Sequence, residues 1–351
     1  MNVKSLLLGS AAAVAAASGA YAADPVVVVE PVATNYVEVC DAFGKGYFYI
    51  PGTETCLDIG GYVRFQVDFV TSPSDQAAWD VFTKAHLAVS SKTDTELGVL
   101  TGDIELNAYA YGDGTSSKVE LDQTYLGLGG FQAGYFTSYW DEGLIGEIDH
   151  LSGNTKFNSI RYVFLGDGYV AGLSVDALTP DMVDYTGNND MAKLGVSGRV
   201  GFKAGGVGMK LDGGYDTYNE DGSLRLMSAF ALGPGSLNLG AQYSSGFNAY
   251  ANSFSWFSGT GYTKPDNLYS EWAVAAGYAL KATDKLTITP AVQWTTAKAD
   301  GISDKDYWEA GALFDYTIVD GFHAKLNLRY ADLPDPIGDA FGGWFRLQRD
   351  F

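Results

Sequence analysis

Apolar and polar side chains alternate along most of the chain. In residues 56–69, for example, Val63 and Phe65 alternate with Arg64 and Gln66. Successive side chains of a strand point to opposite faces, so this pattern predicts a strand with one apolar and one polar face. The same alternation marks sixteen segments: 56–69, 79–91, 94–111, 119–129, 131–137, 157–165, 169–177, 191–203, 207–218, 222–232, 235–245, 269–281, 284–296, 306–318, 321–331 and 342–351.

The connections between these segments are of two kinds, which alternate along the chain. Short turns rich in glycine and aspartate, such as Gly129-Gly130 and Asp320-Gly321, are followed by longer polar stretches. Short turns at one end and long loops at the other are typical of bacterial outer-membrane barrels. We therefore predict an all-β fold, a 16-stranded antiparallel transmembrane β-barrel with short periplasmic turns and long external loops. The long loops are expected at 138–156, 178–190, 246–268, 297–305 and 332–341.

A soluble β protein is the alternative to this interpretation. A secreted β-sandwich or β-solenoid also shows alternation and glycine turns. A sandwich, however, needs a second sheet to cover each apolar face, and sixteen long strands would make an unusually large one. The chain has no internal repeat of fixed short period, which argues against a solenoid or propeller.

The first 22 residues have the features of a secretory signal peptide. They carry one positive charge, Lys4, then an apolar run and a small-residue ending at Ala20 and Ala22. The apolar run is shorter than the roughly 20 residues that a membrane-spanning helix needs. We divide the chain into a signal peptide (1–22), an N-terminal extension (23–55) and a barrel (56–351).

Composition excludes one class of partner. The formal net charge is -20, and nucleic-acid binding depends on neutralising phosphates with Lys and Arg, so no nucleic-acid partner is expected. Strong acidity is typical of disordered chains when aromatics are few, but this chain has 23 Tyr, 19 Phe and 44 Gly. That composition favours sheets with many tight turns.

The two cysteines, Cys40 and Cys56, are expected to form a disulfide. An exported chain folds in a compartment that is oxidising enough to hold one. Metal binding is the weaker alternative, because two cysteines without a nearby histidine do not make a ligand set.

The two ends of the chain resemble a known family. CDAFGKGYFYIPGTETCLDIGGYVR, at 40–64, is similar to the signature near the mature N-terminus of alphaproteobacterial porins of the rhizobial and Brucella group. GGWFRLQRDF, at 342–351, resembles their last strand. The resemblance implies a general-diffusion porin that assembles as a homotrimer in the outer membrane and passes small hydrophilic solutes. Phe351 resembles the signal read by the barrel-insertion machinery. Outer-membrane lipid and lipopolysaccharide are the expected surroundings.

A barrel of sixteen strands leaves an aqueous channel, whose selectivity depends on charged side chains and width. Four basic residues fall on inward faces: Arg64, Lys84, Arg161 and Arg199. Lys325, Arg329 and Arg346 are candidates for lumen lining near the seam. Inward acids include Asp58, Asp68, Asp103, Glu105, Asp212, Asp216, Glu309 and Asp315. The simpler interpretation is that most of these residues only keep the lumen wet.

The loop at 138–156 differs from the other loops because it mixes acids with many apolar residues. In general porins the third external loop folds into the barrel and narrows it, and this loop has that position. We expect its acids to face Arg64, Lys84 and Arg161 across a constriction and so to set up a transverse field. The acids are Asp141, Glu142, Glu147 and Asp149.

No enzymatic or cofactor chemistry is expected. The three histidines, His86, His150 and His323, are scattered, and we interpret His86 and His323 as polar lumen lining. The acidic loops at 178–190 and 297–306 fit no calcium-loop spacing, so no metal site is predicted. Two other functions remain open, a substrate-specific channel and a structural or adhesin-like surface barrel.

Overall fold

A computed structural model describes residues 38–71, 77–112, 117–148, 151, 155–179, 182, 193–251, 268–299, 302–333 and 338–351. Residues Val39–Phe351 form one compact unit. The predicted signal peptide lies outside the described residues. Within those ranges, no helix has both the length and the apolar character needed to cross a membrane.

The described residues form one antiparallel sheet and two short 3₁₀ turns, at Asp41–Phe43 and Tyr139–Asp141. The strands are β1 (Phe48–Tyr49), β2 (Cys56–Thr71), β3 (Ala77–Thr93), β4 (Leu100–Tyr111), β5 (Lys118–Leu128), β6 (Phe131–Thr137), β7 (Lys156–Gly166), β8 (Tyr169–Leu178), β9 (Lys193–Ala204), β10 (Val207–Asp216), β11 (Asp221–Leu232), β12 (Gly235–Ser244), β13 (Tyr269–Lys281), β14 (Leu286–Ala299), β15 (Ile302–Val319), β16 (Phe322–Leu333) and β17 (Gly338–Asp350).

The sheet closes because the last strand pairs with the first long one. β17 runs antiparallel to β2 from Phe341 opposite Thr71 to Asp350 opposite Tyr62. The ladder ends where Phe351 and Gly61 exchange two backbone hydrogen bonds, of 3.1 and 3.0 Å. β1 then occupies the edge of β2 that β17 leaves open. Strands β2 to β17 thus form a closed ring of sixteen, which confirms the predicted fold.

The polarity of the barrel is inverted relative to a soluble protein. Outward side chains such as Ile160 and Leu224 are 60% and 55% exposed. Inward side chains such as Asp212, Arg225 and Glu309 are fully buried at 0%. An apolar outer face and a polar inner face are what a barrel in lipid requires, since the bilayer takes the place of a hydrophobic core.

Three predicted boundaries were wrong. The segment expected from residue 94 begins at Leu100, because a turn intervenes in which Gly98 donates to the Thr95 carbonyl with a φ of 105°. The long loop expected at 297–305 is mostly strand, since β14 continues to Ala299 and β15 begins at Ile302. The loop expected at 332–341 is also mostly strand, since β16 continues to Leu333 and β17 begins at Gly338. Polar residues suggested a loop there, but strands that extend beyond the membrane carry polar side chains.

The disulfide joins Cys40 and Cys56, as expected, and both cysteines are buried. The loop that it closes lies against the inner face of the barrel at the end of the short turns. There the Tyr47 hydroxyl donates to Ser90 Oγ at 3.3 Å, and the Lys92 ammonium lies 4.8 Å from the centre of the Tyr47 ring. The disulfide therefore fixes the N-terminal segment next to the pairing of β17 with β2 that closes the barrel.

We expect the Cys40→Ser/Cys56→Ser double variant to unfold at a lower temperature than the wild type, with unchanged channel conductance. Opening a loop of this length removes a stabilisation of about 3 kcal/mol by the chain-entropy estimate. Thermal unfolding followed by circular dichroism measures the change, and wild type treated with a thiol reductant is the control. Equal unfolding temperatures for the variant and the oxidised wild type would show that the disulfide is dispensable.

Candidate pore constriction

The described residues between β6 and β7 (138–148, 151 and 155) enter the barrel, and we call the segment 138–155 the inner loop. It begins with a 3₁₀ turn whose start is capped by Ser138, since Ser138 Oγ accepts a hydrogen bond from the Trp140 amide at 3.1 Å. Trp140 and Phe157 are buried, and the Trp140 ring packs against Tyr250 at a centroid distance of 5.9 Å. The loop therefore leaves the wall through an aromatic cluster that fixes its direction.

Arg225 on β11 holds both ends of the inner loop. Its guanidinium donates to the carbonyl oxygens of Tyr139 at 2.6 Å, Trp140 at 3.2 Å and Leu151 at 2.9 Å. It also pairs with Asp212 at 2.8 Å, and both side chains of this pair are fully buried. Buried carbonyls outside a ladder need donors, and a buried cation needs a counter-charge, so this arrangement satisfies both requirements.

The apolar residues of the inner loop dock on a wall of small residues. A Cβ added to Gly240 would lie 2.3 Å from Leu151 Cδ1, and one added to Gly311 would lie 2.5 Å from Ile148 Cδ1. Any larger side chain at these positions would push the loop off the wall. The docking pairs are Leu144 and Leu151 with Gly240, Ile145 with Gly277, and Ile148 with Gly311, on β12, β13 and β15.

Two predicted acids of the inner loop contact basic side chains of the wall. Glu142 pairs with Arg199 at 2.5 Å and with Lys210, and it remains 45% exposed. Burial alone would raise the pKa of Glu142, but the Lys210 hydrogen bond and the Arg199 charge hold it below its ordinary value. Glu147 lies 3.8 Å from Arg346 on β17 and is 37% exposed.

The other two predicted acids are placed differently. The backbone amide of Asp141 donates to the Ser138 carbonyl at 3.3 Å at the end of the 3₁₀ turn. Burial raises the pKa of the Asp141 carboxyl, against the attraction of Lys156. Asp149 lies outside the described residues.

Arg64 and Lys84 lie side by side on the inward faces of β2 and β3, as cross-strand partners. The Arg64 Nε donates to Gln348 Oε1 at 2.8 Å, and its guanidinium lies 4.6 Å from the centre of the Tyr62 ring. The Lys84 ammonium lies 5.5 Å from the Tyr62 ring centre. Aromatic rings hold both cations without neutralising them, so their charge remains available to the lumen.

Arg161 and Arg199 support the inner loop directly. Arg161 is 8% exposed, donates to the Thr137 carbonyl at 2.9 Å and lies 4.2 Å from the centre of the Tyr139 ring. Arg199 donates to Asp212 at 2.5 Å and to the Tyr139 carbonyl at 2.7 Å. Both guanidinium groups therefore lie against the base of the loop, whereas the side chain of Arg346 faces its tip.

A second segment also folds inward, which sequence reasoning missed. Tyr250, after β12, packs so closely on Gly214 that a Cβ there would lie 2.5 Å from its ring. Its hydroxyl donates to Asp176 at 2.8 Å. Asp176 is fully buried and also accepts hydrogen bonds from three serines: Ser159, Ser174 and Ser197. Burial raises the pKa of Tyr250, so it stays a hydrogen-bond donor.

Sequence reasoning also missed Lys210 and Arg225. Each occupies an inward position between apolar neighbours, Arg225 between Leu224 and Leu226, for example. The alternation of apolar and polar residues was therefore enough to predict that both side chains point into the barrel. Their partners were not predictable, because the inner loop meets β10 and β11 only in the closed barrel.

The assembled site brings acidic side chains of the inner loop together with basic side chains of the wall. Glu142 and Glu147 form an exposed acidic edge on the inner loop. Basic side chains on β17, β2 and β3 line the seam wall, and these are Arg346, Arg64 and Lys84.

Comparison with known proteins supports a channel. The family model described as "Porin subfamily" matches residues 24–338. Outer membrane protein IIIA of Rhizobium leguminosarum bv. viciae is 42% identical over 98% of this chain and 93% of its own length. Porin Omp2b of Brucella canis is 34% identical over the full length of both chains.

Solved structures show the same architecture. The trimer form of Vibrio cholerae OmpT, an outer membrane protein, matches with a TM-score of 0.62 and 11% identity, over 85% of this chain and all of that one. A match at 11% identity supports the fold and nothing further. Family, full-length relatives and closed barrel agree, and the chain belongs to the Porin subfamily as an outer-membrane channel protein.

Proposed function

We propose that the channel is a general-diffusion porin, which passes small hydrophilic solutes and ions without a dedicated binding step. The observation that carries the proposal is the position of the inner loop. Its apolar residues lie against β12 to β15, and its acidic edge stays exposed to the interior. A loop that lies along one wall narrows a channel and leaves a passage beside it.

The charges on the two sides support a transverse field. Glu142 and Glu147 carry negative charge on the loop, and Glu147 lies 3.8 Å from Arg346, which belongs to the basic seam wall with Arg64 and Lys84. Low-dielectric walls focus such a field, which orients dipolar solutes as they pass. Because charges of both signs are present in the lumen, we expect weak ion selectivity.

We further propose that the chain assembles as a homotrimer within outer-membrane lipid and lipopolysaccharide. The trimeric form of the Vibrio cholerae OmpT structure supports the assembly. We propose that Phe351 is the signal for the barrel-insertion machinery, a role supported by its position directly after β17 and its backbone hydrogen bonds to Gly61.

A substrate-specific channel is the second candidate, and one feature favours it. A recess of about 510 Å³ lies beside the inner loop, between Glu142 and the inner faces of β9 to β12. Lys210, Met227 and Asn238 are among its lining residues. Apolar area with a few polar groups is what small-molecule sites offer.

Planar-bilayer recording of the purified protein tests the general-diffusion proposal. We expect current that is linear with voltage, conductance that rises without saturation as salt concentration increases, and insertion in steps of three equal levels. The three levels follow from three pores entering together. Conductance that saturates with one class of solute would overturn general diffusion in favour of a specific channel, and single-level steps would contradict the trimer.

Deleting residues 141–150 should raise single-channel conductance, because the deletion removes Glu142 to Ile148, which lie on the inner wall and narrow the channel. The matched control is the Glu142→Gln/Glu147→Gln variant, which keeps the bulk of the loop and removes only charge. We expect the control to keep wild-type conductance to within about a factor of two and to change selectivity, since charge sets selectivity and bulk sets width. An unchanged conductance in the deletion variant would remove the loop from the constriction.

The lowered pKa of Glu142 predicts a specific pH dependence. A carboxyl whose pKa is lowered in the folded state stays mostly charged at pH 4.5, which is the ordinary pKa of Glu. It loses its contacts only as the pH falls further. At pH 7 the wild type should therefore be more cation-selective than Glu142→Gln, and this difference should persist at pH 4.5. Reversal potentials of both proteins between pH 7 and 3.5 measure it. If half of the difference in reversal potential between the two proteins has already disappeared at or above pH 4.5, the pKa of Glu142 is not lowered.

A further inference from the structure

Three potential metal ligands meet on the inner wall formed by β3, β4 and β5. His86, Glu105 and Asp122 each offer a ligand atom, and these atoms lie within 4.8 Å of one another. His86 Nε2 is 3.4 Å from Glu105 Oε2, and His86 Nδ1 is 3.9 Å from Asp122 Oδ2. The side chains are 14%, 20% and 22% exposed, so channel water reaches the group.

Neighbouring residues orient both carboxylates towards the imidazole. Gln123 Nε2 donates to Glu105 Oε1 at 2.5 Å, which leaves Oε2 on the histidine side. Asn107 Nδ2 donates to Asp122 Oδ1 at 2.7 Å, and the Lys156 ammonium pairs with the same oxygen, which leaves Oδ2 on the histidine side. Partners that hold the second oxygen or nitrogen of a ligand are characteristic of protein metal sites.

The imidazole of His86 is held in place by two contacts. Its ring stacks on Tyr62 at a centroid distance of 4.9 Å and an angle of 17°. Its Nδ1 lies 3.0 Å from Asn107 Oδ1. Donation of Nδ1–H to this amide oxygen leaves the lone pair on Nε2, beside Glu105, and a metal ligand needs that lone pair.

The spacing of the group fits a small transition-metal ion. Tetrahedral coordination with bonds of about 2.0–2.1 Å places neighbouring ligand atoms about 3.3–3.4 Å apart. The separation of 3.4 Å between His86 Nε2 and Glu105 Oε2 agrees with that value. The Asp122 carboxylate offers a ligand atom within 4.8 Å of the other two, and water from the channel would fill the fourth position. One imidazole with two carboxylates suits Zn²⁺, whereas Ca²⁺ and Mg²⁺ prefer shells made of oxygen alone.

We propose that His86, Glu105 and Asp122 bind a divalent transition-metal cation such as Zn²⁺ on the channel wall, and that the bound ion shifts ion selectivity towards anions. Without metal, two carboxylates and the Lys156 ammonium give this patch one negative charge. A bound divalent ion changes that to one positive charge. The patch lies about 7 Å along β3 from the inward Lys84, so the change falls beside the basic seam wall. The inference does not depend on whether solutes pass by general diffusion.

The chain provides a matched control. His323 on β16 lies 2.9 Å from Asp315, whose other oxygen pairs with Lys325 at 3.0 Å. This second inward histidine has one carboxylate beside it. Among the described residues, the His86 group is the one that brings three such ligand atoms together.

Reversal potential across a KCl gradient, measured in planar bilayers during ZnCl₂ titration, tests the proposal. In wild type we expect a saturable shift towards anion selectivity at micromolar Zn²⁺ and none with the same concentration of MgCl₂. His86→Asn should raise the Zn²⁺ concentration for half the shift at least tenfold, and His323→Asn should leave it unchanged.

Three results would overturn the proposal. These are a wild type that does not respond to Zn²⁺, a response that MgCl₂ reproduces, and a His86→Asn channel that keeps the wild-type response. If His86→Asn does not insert, Asp122→Asn takes its place with the same expected tenfold loss. A normal Zn²⁺ response in that variant then rejects the site.

Discussion

The ladder between β17 and β2 is the constraint on which the rest of the structure depends. The hydrocarbon core of a membrane offers no hydrogen-bond partners, so an open sheet edge would leave a row of unpaired backbone groups. The paired termini remove that edge, and the last bonds join Phe351 to Gly61. β1 and the disulfide loop then cover the part of β2 beyond the chain terminus. The N-terminal segment and the C-terminal residue therefore serve the same seam.

Closure places the polar faces of all strands around one interior, and that interior has to be organised by charge. The buried Arg225–Asp212 pair holds the inner loop together with the apolar contacts of Trp140 and Leu151. A buried ion pair gains little net stability by itself, because desolvation offsets the attraction. Here the cation also satisfies three carbonyl oxygens of the loop, at both of its ends. The pair thus acts with these apolar contacts to define where the loop lies.

The position of the loop divides the interior into two functional sides. On one side glycines and alanines accept the apolar residues of the loop, which permits close approach without filling the barrel. On the other side aromatic rings hold basic side chains beside polar and acidic groups of β2 to β5. Solutes that pass on this second side meet a charged wall. On the same wall His86 lies beside two carboxylates, the group that we propose to bind a cation.

The sequence by itself determined the strands, their faces and the closed ring. Alternation with period two and glycine turns are local properties, so they indicated sixteen strands and an inward direction for Arg64 and Lys84. Only the tertiary structure decided which side chains meet. Glu142 contacts Arg199 and Lys210, and Tyr250 reaches Asp176, across separations that local patterns do not encode. The path of the inner loop depends on the curvature and stagger of a closed barrel, which arise when all strands pair at once.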